Sequence, residues 1–214
     1  MSLPRPPLLL ITDRQQAKGP LISVLEAAFA AGCRWASLRE KDLAPHLQVT
    51  LARRLSLLAR RYGARLTLHG DPALARAAGL DGAHLPAGAD VAAARRLLGP
   101  QALVGISVHR AEEAGRLDPG LLDYVIAGPA FATLSKPGYG PVLGPTGLAA
   151  IARATPLPVV AVGGIEADNA GDLIAAGAAG LAVMGGIMRA VHPGKETRCL
   201  LAALAPVGAP SRTG

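Results

Sequence analysis

Eight short apolar runs recur along the chain, each following Gly or Pro punctuation: "PLLLITD" (7–13), "RWASLRE" (34–40), "ARLTLHG" (64–70), "DGAHLP" (81–86), "ALVGIS" (102–107), "LDYVIAG" (122–128), "LPVVAVGG" (157–164) and "AGLAVMG" (179–185). Continuous apolar runs of this length suit strands buried on both faces, as in parallel sheets. Between them lie segments with helical spacing. "LISVLEAAFAAG" ends in Gly32, a residue suited to a helix C-terminus, and "LAPHLQVTLARRLSLLARRYG" and "DLIAAGAAG" end in glycine too. Strand and helix thus alternate in units of roughly 20–30 residues, and eight such units in ~200–250 residues is the arithmetic of a (β/α)8 TIM barrel. An open doubly wound sheet fits less well, because the first strand is followed by "ITDRQQAKG" and not by the glycine fingerprint of that fold. We therefore expect one α/β barrel domain over residues 1–206, with 207–214 ("GAPSRTG" at its end) as a frayed tail.

Charge narrows the partners. The 22 Lys and Arg against 15 Asp and Glu give a net charge of +7. These charges are spread over helical stretches such as "ARRLSLLARRYGAR", with no dense basic tail, and aromatic residues are only 3% of the chain. Stacking platforms, fingers and a helix-turn-helix pattern are all missing, so nucleic acid is not an expected partner. A mildly basic field instead suits a small phosphorylated substrate. Cys33 and Cys199 stand outside any metal-like cluster, and the apolar run of "MSLPRPPLLLITDR" is too short for a membrane span. The expectation is a soluble cytoplasmic protein with no membrane partner, its oligomeric state open and a homo-oligomer among the options.

In barrels of this kind the chemistry sits beyond the C-terminal ends of the strands. Reading only those ends collects Asp13 and Arg14, then Arg39-Glu40-Lys41-Asp42, His69 and Asp71, His84, Ser107 and His109, the long 128–144 loop, Gly163-Gly164 and Gly185-Gly186. The opposite ends carry plain connectors such as "AAGCR" and "TPLP". That asymmetry points to an enzyme. Taken singly, the 39–42 run also reads as a solvated charged face, and His84 as a core histidine bonded to backbone. The double glycines after the seventh and eighth strands let backbone N–H groups approach a phosphate closely. Thr133, Ser135 and Lys136 lie in the 128–144 loop, where a lysine in an arginine-dominated chain suits a moving anionic group.

"LLLITDR", "SLREKD", "LDGAHLP", "VGISVHRAEEA", "DYVIAGPAFATLSKPG", "PVVAVGGI" and "GAAGLAVM" together resemble the thiamine phosphate synthase/TenI superfamily, in order from about residue 8 to residue 190. The resemblance implies a TIM barrel and an enzyme of thiamine metabolism. Two activities are implied: a synthase that joins a pyrimidine pyrophosphate to a thiazole phosphate with Mg²⁺ on the pyrophosphate, and a metal-independent thiazole tautomerase that moves protons. By the same resemblance, Arg39 and Lys41 match pyrophosphate-binding residues. Ser107, Thr133, Ser135 and Lys136 match residues around that group, and Gly164 matches a glycine near the thiazole phosphate.

Departures from the pattern weigh on the choice. The synthase's two Mg²⁺-ligating aspartates are matched here by Gly70 and Ala89, with Asp71 and Asp90 each one place further on. The tautomerase histidine is matched by Pro129. The leading expectation is a tautomerase without cofactor, with His69 the first and His109 the second candidate for proton transfer. Lys136 joins them on the catalytic rim, and Arg39, Lys41, Ser107, Thr133, Ser135, Gly163, Gly164, Gly185 and Gly186 hold the substrate. The alternative is a synthase using Mg²⁺ on Asp71 and Asp90. A barrel that binds a phosphate ligand without chemistry is the third reading.

Overall fold

The computed structural model describes residues 2–135 and 140–204. Eight parallel strands close into a barrel in sequence order: β1 (Leu8–Ile11), β2 (Trp35–Leu38), β3 (Arg65–His69), β4 (Gly82–Leu85), β5 (Leu103–Val108), β6 (Tyr124–Ala127), β7 (Val159–Val162) and β8 (Gly180–Val183). The ring closes where β1 pairs with β8, Leu9 opposite Ala182. Seven of the strands fall within their apolar runs, and β5 runs one residue past its own, to Val108.

The reason both strand faces are apolar is visible in β1. Leu8 and Leu10 join the large cluster between the sheet and the helices, whereas Leu9 and Ile11 join a second cluster inside the barrel with Trp35, Leu103, Tyr124, Ile126 and Val160. Side chains alternate across a strand, so a barrel wall needs an unbroken apolar run. Trp35 and Tyr124, the first residues of β2 and β6, meet edge to face at 4.8 Å between ring centroids. Tyr124 fits because Gly105 faces it, and a Cβ at Gly105 would overlap the tyrosine ring.

Helices cover the outside: α1 (Leu21–Ala30), α2 (Pro45–Arg61), α3 (Pro72–Ala78), α4 (Val91–Leu98), α5 (Ala111–Gly115), α6 (Gly144–Ala154), α7 (Ala170–Ala175), α8 (Gly185–Met188) and α9 (Pro193–Ala203). Gly32, Gly63 and Gly177 follow α1, α2 and α7 with positive φ, the conformation that glycine allows at a helix end. The last strand is followed by two helices instead of one. Gly185 and Gly186 therefore open α8 instead of lying in a loop, and α9 packs beside α1. Among the described residues no helix is long and apolar enough to cross a membrane. The expected tail at 207–214 lies outside the described residues, and so does Lys136.

Candidate active site

A cavity of about 250 Å³ opens at the C-terminal mouth of the barrel. Arg39, His69, Ser107 and His109 line it from the ends of β2, β3 and β5. Thr133 and Ser135 reach it from the loop after β6, and Gly163, Gly164, Gly185, Gly186 and Arg189 from beyond β7 and β8. Ten of the sequence-derived candidates thus come together in one cavity. Lys41 is exposed beside it and is not among its lining residues.

The 39–42 run is a solvated face only in part: Lys41 and Asp42 are exposed, Arg39 is half-buried and Glu40 is buried. Glu40 is only 3% exposed. Its carboxylate accepts from Thr12 Oγ1 at 2.7 Å and from the Arg14 backbone N–H at 3.1 Å. Thr12 Oγ1 in turn accepts from the Arg39 N–H at 2.9 Å, which ties the end of β2 to that of β1 beside the cavity. The Arg14 guanidinium grips both oxygens of Asp42 at 2.6 and 2.5 Å, and these bonds hold the Asp42 carboxyl below its ordinary range. Lys41 is shifted down by partial desolvation and by the positive charge of Arg39. Two cations held that close favour an anion between them.

His84 corrects one expectation. It is fully buried, but its partner is a side chain, with Nε2 2.9 Å from Ser107 Oγ. Its ring lies 4.7 Å from that of His69. Burial lowers its pKa well below 6.5, with the nearby His69 and Lys41 adding to the effect, so the ring is neutral at physiological pH. His109 Nδ1 lies 2.7 Å from the Gly128 carbonyl. A carbonyl only accepts, so Nδ1 carries the proton and Nε2 is the basic nitrogen of the neutral ring. The His109 N–H also donates to Glu113 at 2.7 Å, the main reason that carboxyl titrates low. His109 thereby reaches, from β5, the backbone beside Pro129.

The glycines are required by close approach. Gly163 and Gly164 have φ of 103° and 62°. The loop after β6 crosses directly over them, with Ala130 N–H donating to Val162 O at 2.8 Å and Phe131 N–H to Gly163 O at 3.0 Å. A Cβ at Gly164 would strike the Ala132 carbonyl. Asn169 secures this turn by donating to Gly164 O at 2.9 Å and accepting from the Glu166 N–H at 3.0 Å. A Cβ at Gly185 would run into the Arg189 guanidinium and Ser135 Oγ. Arg189 donates to Gln16 Oε1 and, at 3.1 Å, to Ser135 Oγ, while Ser135 Oγ donates to Gln16 Oε1 at 3.1 Å. Arg189, Gln16 and Asn169 were not legible as site residues. For Arg189 a signal existed, a cation one helical turn beyond Gly185.

Mg²⁺, which the resemblance implies for a synthase, requires hard oxygen ligands in a tight octahedron. Asp71 Oδ1 instead accepts from the Ala73 N–H at 2.8 Å as the N-cap of α3, and Asp90 Oδ1 accepts from the Ala93 N–H at 2.8 Å as the N-cap of α4. Both residues are exposed and neither lines the cavity. Among the described residues no three His, Cys, Asp or Glu side chains are grouped to hold a metal. The described residues do not fit the ion.

Comparison with known proteins agrees with this geometry in family and fold. A family model described as thiamine monophosphate synthase matches residues 8–187. The chain is 43% identical over 202 residues to a Geobacter sulfurreducens protein named "Putative thiamine-phosphate synthase", covering 93% of this chain and 94% of that one. It is 40% identical over 183 residues to the thiamine-phosphate synthase of Laribacter hongkongensis, covering 85% and 86%. The solved thiamine phosphate pyrophosphorylase of Pyrococcus furiosus superposes with a TM-score of 0.82 at 29% identity, covering 92% and 94%.

Proposed function

The chain belongs to the thiamine monophosphate synthase family, and from that premise we propose that it is a transferase joining a pyrimidine pyrophosphate to a thiazole phosphate. The relatives named as synthases favour this over the isomerase expected from the missing metal ligands. The observation that carries it is one cavity that gathers Arg39, Ser107, Thr133 and Ser135 together with the glycine pairs Gly163-Gly164 and Gly185-Gly186. Arg39 and the hydroxyls suit the pyrophosphate. The glycine turns suit the thiazole phosphate, because bare backbone lets an anion come close.

In the reaction the pyrimidine's bond to the pyrophosphate oxygen breaks, its electron pair leaves with pyrophosphate, and the thiazole nitrogen supplies the pair for the new bond. Cationic donors around the departing group stabilise the charge that develops there. Ser107 Oγ is held at the cavity by the buried His84, 2.9 Å from its Nε2.

A second reading, thiazole tautomerase, is supported by His69 and His109 lining the same cavity, with His109 Nε2 the basic nitrogen. One experiment separates them. The protein is incubated with hydroxymethylpyrimidine pyrophosphate and thiazole phosphate, and separately with thiazole carboxylate phosphate in D₂O. Thiamine phosphate in the first tube is the expected result. Its absence, together with enzyme-dependent isomerisation or deuterium exchange in the second, overturns the synthase reading in favour of the tautomerase.

A further inference from the structure

We propose that this cavity takes pyrophosphate without a divalent metal, its charge met by protein cations among which Arg189 is a binding residue. The inference rests on the synthase reading for the identity of the anion. It starts from a disagreement. The two aspartates one place beyond the expected metal positions in the sequence, Asp71 and Asp90, are exposed and occupied in capping α3 and α4. A polyanion in the cavity must find its positive charge elsewhere.

Arg189 supplies it. Its guanidinium is folded back over Gly185, at a place where only a residue without a Cβ leaves room. There it lines the cavity and bonds Ser135 of the loop after β6. Gln16, from the segment after β1, accepts from both Arg189 and Ser135, so three rim segments meet at this point. These bonds are to neutral oxygens, and among the described residues no carboxylate forms an ion pair with Arg189, Arg39 or Lys41. By contrast Arg14 and Arg95 are each paired with an aspartate. A guanidinium presents several fixed donors, only some of which Gln16 and Ser135 engage, and the fork suits phosphoryl oxygens. Lys41, lowered by desolvation and by Arg39, completes a set of like charges that a polyanion would relieve.

The test is calorimetric titration of the whole protein with inorganic pyrophosphate, once in EDTA and once with excess MgCl₂. Binding in EDTA within about threefold of that with Mg²⁺ is expected, and Arg189→Gln should weaken it by about tenfold or more, the loss of one charge-assisted pair. Arg189→Lys should recover part of that loss, and melting curves of both variants establish that they are folded. Pyrophosphate that binds only when Mg²⁺ is added, or binds folded Arg189→Gln as tightly as the parent, overturns the proposal. Coupling activity is followed in parallel to keep the two readings apart. Metal-free binding without coupling sinks the synthase reading alone, and coupling that stops in EDTA with loss of pyrophosphate binding sinks this inference alone.

Discussion

His84 ties stability to chemistry at a single residue. Its ring is fully buried, its Nδ1 has no hydrogen-bond partner among the described residues, and its Nε2 holds Ser107 at the cavity wall. Burial and neighbouring positive charge lower its pKa well below 6.5, so as pH falls under 6.5 the unfolded chain takes up a proton that the native state refuses. The unfolded state then binds more protons, and native stability declines with falling pH from 6.5 towards the lowered folded pKa. One such site contributes at most about 1.4 kcal/mol per pH unit. Urea denaturation at pH 7.5 and 5.5 should therefore show a smaller loss at pH 5.5 for His84→Gln than for the parent, whatever the variant's absolute stability. Equal losses in the two proteins would show that His84 is not the group responsible. From sequence, His84 read as a core histidine, and its burial agrees. That its partner is Ser107 depends on the pairing of β4 with β5, which sets His84 opposite Gly105, two residues before the serine. Periodicity along one strand carries no such cross-strand register.

At the scale of elements, the turn after β7 is where the rim was most legible. Gly163-Gly164 stood out as a doublet at a strand end, and both residues have left-handed φ. What the doublet did not reveal is its neighbour: the chain after β6 passes so close that a Cβ on Gly164 would meet the Ala132 carbonyl, while Asn169 pins the turn from the other side. The contact joins residues more than thirty positions apart, and nothing local in "VGG" encodes it. Gly164→Ala should cost about 1–3 kcal/mol, combining a strained φ with the steric conflict. If the turn also cradles the thiazole phosphate, KM for that substrate should rise by about tenfold or more, with less change in KM for the pyrimidine pyrophosphate. Steady-state kinetics with each substrate varied in turn provides the check, and equal effects on both would detach this turn from the thiazole phosphate. The 39–42 run was legible as part of the rim in the same way. The burial of Glu40 was not, because it depends on Thr12 and Arg14 of another element.

Over the whole molecule, the eight apolar runs foretold a barrel but not what fills it. The interior holds a column of rings. Trp35 meets Tyr124 at 4.8 Å at the N-terminal ends of β2 and β6, Tyr124 stacks on His84 at 5.6 Å, and His84 lies 4.7 Å from His69, which lines the cavity. Packing at the bottom of the barrel is in this way continuous with the geometry at its mouth. Gly105 is the residue that admits Tyr124 to the column, and nothing local in "ALVGIS" marks it for that role. Gly105→Ala forces the tyrosine ring to move. Overpacking of this kind costs about 3 kcal/mol, which in a domain of this size lowers Tm by roughly 6–12 °C. Trp35 is the chain's single tryptophan and is fully buried against Tyr124, so its emission reports on this contact. Because the column continues to His84 and Ser107, the variant should also lose activity at temperatures well below its Tm. Gly19→Ala, at a site with nothing within 4 Å of the added methyl, should leave Tm and Trp35 emission unchanged. A Gly105→Ala protein that melts like the parent would mean that Tyr124 is not wedged as the packing requires; one that melts early but keeps full activity would break the link between barrel floor and mouth.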